Sequence, residues 1–274
     1  MRTVPQIAEA VQPQGVVALY GGEVLLTFDA KTHRYVVTDH GRTFPVPSVT
    51  TILSVVDKSG PLTQWAANCA IDCLREKIQP GQTYDEIALE GIFQDARFNF
   101  RRINREARSI GSVVHNWIER YLKAAAGEVP PPFPLNQQAR RCCEAAMAWI
   151  REREFQPLAV ELKLYSRRYR YAGTMDSAVG GVAMVSGHRS VVDWKTSGGI
   201  YPEYRLQTAA YAQAYEQMTG EPIEERWVVR LGKDDGAFEA VCFPHSQQTA
   251  DLRAFLAAFR LYQRLWQLRK GGQH

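Results

Sequence analysis

The chain has 274 residues, 45% hydrophobic and 23% charged, a balance that fits a folded soluble protein and excludes disordered, collagen-like and coiled-coil classes. No run approaches the roughly 18 apolar residues of a membrane span, and the opening residues lack an apolar stretch for a signal peptide, so an intracellular, cytoplasmic protein is expected. Lys and Arg number 33 against 29 Asp and Glu, a net charge of +4 that permits a polyanionic partner without requiring one. The five cysteines, Cys69, Cys73, Cys142, Cys143 and Cys242, are odd in number and contain no C-x-x-C pair. Neither a disulfide framework nor a zinc ribbon fits them, and small buried residues are the expected reading. A phosphate-binding P-loop is also missing.

Residues 1–60 form a β-rich N-terminal segment. GEVLLTFDA and HRYVVTDH are short apolar runs parted by the polar stretch AKT, and PSVTTIL follows a proline break. From about Leu62 the pattern becomes helical, and Tyr84 to Ala126 reads mostly as one helix with Gly111 as a weak point. The stretch EVPPPFP, 128–134, is compatible with neither helix nor central strand and reads as a linker. A helix follows to about Glu154, then a strand meander over 157–195, a helix over 203–219, strands at 225–231 and 237–243, and a closing helix over 247–269. The fold class is mixed α/β, with a helical region at 61–127, a core at 135–274, and 61–274 expected to be one compact domain.

Two features carry candidate chemistry. On the long helix, Arg97, Arg101, Arg105, Arg108 and His115 fall within an arc of about 80°, away from the apolar face. That stripe is either a solvated charged face or a path for phosphates. In RSVVDWKTS, alternation puts Asp193 and Lys195 on one strand face and Val192 and Trp194 on the other. Asp29 with Lys31 and Glu161 with Lys163 repeat the D/E-x-K spacing, so the spacing alone means little. Asp176 precedes Asp193 by seventeen positions, a distance that fits a hairpin presenting both acids to one point, with Glu161 as a third. Three converging carboxylates need a cation, and oxygen donors select Mg²⁺ or Mn²⁺. Gln207 and Tyr211, four apart, share a helical face. Arg167, Arg168 and Arg170 form a second basic cluster, and Tyr165, Tyr169, Tyr171 and Trp194 are either core or base-stacking aromatics.

In order, Gly111 to His115 (G-x-x-x-H), Glu161, Gly173 to Asp176 (G-x-x-D), Asp193 to Thr196 (D-W-K-T) and Gln207 to Tyr211 (Q-x-x-x-Y) resemble the PD-(D/E)XK nuclease superfamily. The likeness is to its RecB-type branch of helicase-linked recombination nucleases, CRISPR adaptation nucleases and a mitochondrial genome-maintenance exonuclease. VPSVTTIL also looks like the N-terminal part of stand-alone and phage-encoded members. The resemblance implies a restriction-endonuclease-like core with flanking helices. It implies metal ligands at His115, Asp176, Asp193 and Glu161 (direct or through water), with the Trp194 main-chain carbonyl as an extra oxygen. Lys195 would be the catalytic lysine, with Gln207 and Tyr211 orienting it and the scissile phosphate. The segment before Asp176 reads TMD where the superfamily nominally has proline–aspartate. Some relatives hold an iron–sulfur cluster on one early and three late cysteines; no cysteine follows Cys242, so no such cluster is expected. A metal-dependent exonuclease on single-stranded DNA or strand ends is the expectation, in recombination, replication or repair, in a bacterial or phage-infected cell. Any helicase or recombinase would be a separate partner. A structure-specific endonuclease, a lapsed DNA-end-binding subunit and an unrelated binding protein with a chance motif set are the rivals.

Overall fold

Alternating apolar residues near the N-terminus fold into an antiparallel meander in the computed structural model, which describes residues 11–12, 15–29, 34–124, 129–160, 162–175 and 180–271. Strands β1 (Val11–Gln12), β2 (Val16–Leu19), β3 (Val24–Asp29), β4 (Arg34–Asp39) and β5 (Arg42–Val46) lie side by side in chain order. Val17, Leu19, Val24, Leu26, Tyr35 and Val37 point to one face, as a period of two requires, and are buried there with Tyr165 and Ala172. The expected strand character of PSVTTIL is corrected: Val49–Leu53 is a helical turn, α1. Ser48 Oγ accepts the Thr51 N–H at 3.0 Å as an N-cap, and Val49, Ile52 and Leu53 are buried at helical spacing. The β-branched composition favours a strand, but the cap and the i, i+3, i+4 burial prevail.

The chain divides into two compact units, Val56–Ser112 and the remainder, Met1–Val55 with Val113–His274. The smaller unit holds α2 (Ser59–Lys77) and the larger part of α3 (Glu86–Ala124), which runs unbroken through Gly111. Within it Asn99 Nδ2 donates to the Cys69 carbonyl at 2.8 Å and Lys77 pairs with Asp95. Cys69 and Cys73 are buried there, as expected of small apolar residues.

The larger unit takes in the end of α3. Trp117 Nε1 donates to the Pro131 and Pro132 carbonyls at 3.2 and 2.9 Å, and its ring stacks on Phe133. The prolines thus form a strap without helix or strand over 129–134. After it come α4 (Gln137–Glu152), β6 (Gln156–Val160), β7 (Lys163–Ser166), β8 (Tyr171–Thr174), β9 (Gly180–Val185), β10 (His188–Lys195), α5 (Pro202–Thr219), β11 (Glu225–Leu231), β12 (Phe238–Pro244) and α6 (Gln248–Gly271). The main sheet has the order β12-β11-β10-β9-β6, and β10 and β11 are parallel, joined by the α5 crossover. β7 and β8 pair apart from that sheet. The expected hairpin between the Asp176 segment and β10 is corrected accordingly. β10 pairs with β9 and β11, and the sixteen residues between Asp176 and Asp193 include the whole of β9.

α4 covers one face of the main sheet, where Trp149 meets Trp194 and Trp227 edge-on at 5.0 and 5.7 Å. α5 covers the other and ends at Gly220, whose φ of 74° supplies the left-handed C-cap. Arg226 of β11, only 1% exposed, fixes α5 in place. It donates to the Arg205 carbonyl at 2.9 Å and to Thr208 Oγ1 at 3.3 Å, and pairs with Asp251 of α6. Asp251 also accepts from Arg205 Nε at 2.6 Å. Burial pulls the Arg226 pKa down, and Asp251 pulls it back up. Asp251→Ala leaves a buried guanidinium uncompensated and is expected to cost about 3–5 kcal/mol in urea unfolding. Asp251→Ala combined with Arg226→Met is expected to recover much of that loss; an unchanged penalty in the pair would contradict this role for the ion pair.

Candidate active site

β10 is flanked on both sides, by β9 and β11, so residues near its C-terminal end lie deep. Asp193 is 2% exposed. A carboxylate so withdrawn from water must be compensated by a cation or by hydrogen bonds. Lys195, two residues on and therefore on the same face, brings Nζ to 2.9 Å from Asp193 Oδ2. The alternation read from the sequence thus holds, with Trp194 on the opposite face against Trp149. Among the described residues, β9 pairs with β10 as far as Gly180 opposite Asp193, and β11 pairs with it through Lys195.

Lys195 is held from above by α5. Gln207 Oε1 accepts from Nζ at 3.3 Å, and Gln207 Nε2 donates to Tyr211 Oη at 3.1 Å. One ion pair and two hydrogen bonds thus link the side chains of Asp193, Lys195, Gln207 and Tyr211 in series. Tyr204, which the sequence reading passed over, lies under the ammonium with its ring centroid 4.7 Å from Nζ. Its signal is spacing: it sits three residues before Gln207 on the same helical face. Burial pushes the Tyr204 hydroxyl up in pKa, against a hydrogen bond to Ser197 and the Lys195 charge, which pull it down. Gly173 of β8 faces Tyr211 so closely that a Cβ there would lie 2.7 Å from Tyr211 Cε1. The glycine of the G-x-x-D segment thus has a packing reason that no local pattern discloses.

The remaining expected site residues are spread more widely. Asp176 and Glu161 lie outside the described residues. Of their described neighbours, Val160 pairs with Gly181, Gly180 pairs with Asp193, and the Met175 N–H donates to the Leu162 carbonyl at 2.9 Å. His115 is half-buried on the last part of α3. In the smaller unit Arg97, Arg101, Arg105 and Arg108 are all exposed on α3, and Arg97 and Arg101 sit over Phe98 at 5.4 and 4.8 Å. Arg167 is engaged elsewhere: it grips Asp39 at 2.9 and 2.6 Å and Glu23 at 2.8 Å, tying the β7–β8 turn to the meander. That hydrogen-bonded guanidinium holds Asp39 below the usual carboxylate range. Arg168 and Arg170 are exposed, whereas Tyr165, Tyr171 and Trp194 are core residues.

A family model for the PD-(D/E)XK nuclease superfamily matches residues 89–261, the span that holds this hydrogen-bonded series. The chain belongs to that superfamily. Its mixed sheet flanked by helices is the PD-(D/E)XK fold, as the sequence led one to expect, and membership brings a coarse function with it: metal-dependent cleavage of DNA. A search of curated proteins finds no match. Among solved structures, that of SSO0001 is similar at 12% identity over 73% of this chain and 86% of that one, with a TM-score of 0.27. No helix among the described residues is long and apolar enough to cross a membrane.

Among the described residues no group of three or more His, Cys, Asp or Glu is placed to hold a metal ion. The described donors nevertheless suit the PD-(D/E)XK metal. A nearly inaccessible carboxylate at Asp193 offers oxygen to a hard divalent cation. The packing of this site yields its own test. Gly173→Ala is expected to cost about 1–3 kcal/mol by overpacking against Tyr211, measured by urea unfolding. In a Tyr211→Ala background the same change is expected to cost far less, and an equal cost in both backgrounds would refute the contact as the reason for glycine.

Proposed function

We propose that this protein is a metal-dependent exonuclease acting on single-stranded DNA or strand ends, with Lys195 as its catalytic lysine. The observation that carries the active-site reading is the series Asp193, Lys195, Gln207 and Tyr211, held at 2.9, 3.3 and 3.1 Å. The preference for ends follows the likeness to the RecB-type branch, seen in the ordered motifs from His115 to Tyr211.

In this reading Asp193, Asp176, His115 and the Trp194 carbonyl hold Mg²⁺ or Mn²⁺, with Glu161 as a direct or water-mediated ligand. The register of the described neighbours, Val160 opposite Gly181 and Gly180 opposite Asp193, supports including Glu161, and the bond from the Met175 N–H to the Leu162 carbonyl supports setting Asp176 beside it. A divalent ion there screens the charge of the phosphodiester and acidifies water. Lys195 then has two tasks, to orient the attacking water and to stabilise the extra negative charge that develops on the phosphate. Its ammonium carries three N–H donors, and bonds to Asp193 and Gln207 fix its rotation. Gln207 is a positioning residue because its amide oxygen accepts a hydrogen bond from the Lys195 ammonium while its Nε2 donates to Tyr211 Oη. The face of the Tyr204 ring attracts the Lys195 ammonium and so helps to hold it in place. Exposed Arg97, Arg101, Arg105 and Arg108 bind phosphates by charge, with Arg168 and Arg170 contributing from the β7–β8 turn.

The decisive assay is digestion of end-labelled linear single-stranded DNA and a circular counterpart, with Mn²⁺, Mg²⁺ or EDTA. The expected outcome is metal-dependent loss of the linear DNA, an intact circle, and a fall in rate of about 10²-fold or more in Lys195→Ala. Cutting of the circle would overturn the exonuclease assignment in favour of a structure-specific endonuclease. Binding of ends without cleavage of any substrate would overturn the enzyme reading and leave a DNA-end-binding subunit.

A further inference from the structure

A groove of about 890 Å³ lies between β5, α1, the β7–β8 turn and the C-terminal half of α6, all within the larger unit. Its size suits a bound ligand, since such sites run to roughly 300–1,000 Å³. Its lining alternates cations with aromatic rings. Arg34, Arg170 and Lys270 supply charge, and Phe44, Tyr262 and Trp266 supply flat surface. None of the described lining residues is Asp or Glu. Trp266 is 50% exposed, a large apolar surface left open to solvent. Lys270 Nζ stands 4.1 Å from the Trp266 ring centroid, and the Arg170 guanidinium 5.4 Å from that of Phe44. Each pair presents a ring and a cation together.

The backbone at Arg170 adds a second observation. Its φ is 58°, left-handed, where glycine is at ease and a long side chain is uncommon. The turn is closed by the Arg170 N–H donating to the Ser166 carbonyl at 2.7 Å, so the strained conformation is held firmly. The turn thus sets the Arg170 guanidinium over Phe44 on the groove.

We infer that this groove binds a segment of single-stranded nucleic acid, its bases stacking on Trp266 and Tyr262 and its phosphates meeting Arg34, Arg170 and Lys270. The chemistry is that of single-strand platforms, which combine aromatic faces with basic side chains and read little sequence. An acidic peptide would answer the charge but not the exposed rings. A duplex would keep its bases stacked internally and leave Trp266 unused. The groove is distinct from the Asp193–Lys195 cluster, with which it shares no lining residue. It therefore holds a strand at a place other than the one where the strand is cut. The choice of a strand as ligand rests on the nuclease reading above.

The test is fluorescence anisotropy with a labelled oligothymidylate in EDTA, so that cleavage plays no part. Trp266→Ala removes an exposed ring, and Lys270→Gln removes a charge at the helix end. Arg170→Gly removes the guanidinium while relaxing the left-handed backbone. Trp266→Ala is expected to weaken binding about tenfold or more. Each charge removed is expected to flatten the slope of log affinity against log salt by about 0.7. Arg170→Gly is further expected to melt no lower than the wild type while binding less tightly, which separates ligand contact from folding. Equal binding by the wild type and all three variants overturns the inference, even if the wild type degrades DNA when metal is added. Weakened binding by the variants supports it even if no substrate is ever cleaved, in which case only the nuclease reading fails.

Discussion

A carboxylate at 2% exposure in a strand with neighbours on both sides cannot carry charge alone, and much of the surrounding architecture answers that requirement at Asp193. Lys195 supplies the nearest cation, and it is itself steered by a helix rather than by its own strand. That helix exists because β10 and β11 run parallel, which demands a crossover, and α5 is the crossover. Its position is then fixed at the same turn that carries Gln207. Arg226 reaches up from β11 to Arg205 and Thr208 on either side of it and is neutralised by Asp251 of α6. The expense of burying one acid at the sheet end is therefore shared among four elements, and that sharing makes the geometry around Lys195 rigid.

The parts legible in the sequence are those governed by short periods. Alternation placed Asp193 and Lys195 together and Trp194 opposite, and helical spacing put Gln207 and Tyr211 on one face. The long α3 and the strands β9 to β12 were visible for the same reason. The misread parts depend on contacts between distant residues. Val49–Leu53 carries β-branched residues but is drawn into a helical turn by the Ser48 cap and by burial. The seventeen-residue separation of Asp176 and Asp193 suggested a hairpin, yet the stretch between them contains β9, which takes the place next to β10. Gly173 is explained by Tyr211, and Arg226 by Asp251, Arg205 and Thr208, partners no local pattern reveals. Arg167 likewise looked like one of three equivalent arginines, but it is bound to Asp39 and Glu23.

Two kinds of basic surface emerge, and they differ physically. The arginines of α3 line one exposed face and can neutralise a backbone of any sequence or strandedness. The groove beside α6 pairs cations with exposed rings and so asks for unstacked bases.

The account depends most on Asp193 and Lys195 acting as ligand and competitor for the same cation site. Calorimetric titration of Mn²⁺ into the wild type, Asp193→Asn and Lys195→Ala examines this without reference to cleavage. Uptake by the wild type, loss in Asp193→Asn, and retained or tighter uptake in Lys195→Ala are predicted, because removing the ammonium leaves the buried carboxylate to the metal alone. Equal uptake by the wild type and Asp193→Asn, or loss of uptake in Lys195→Ala, would contradict it.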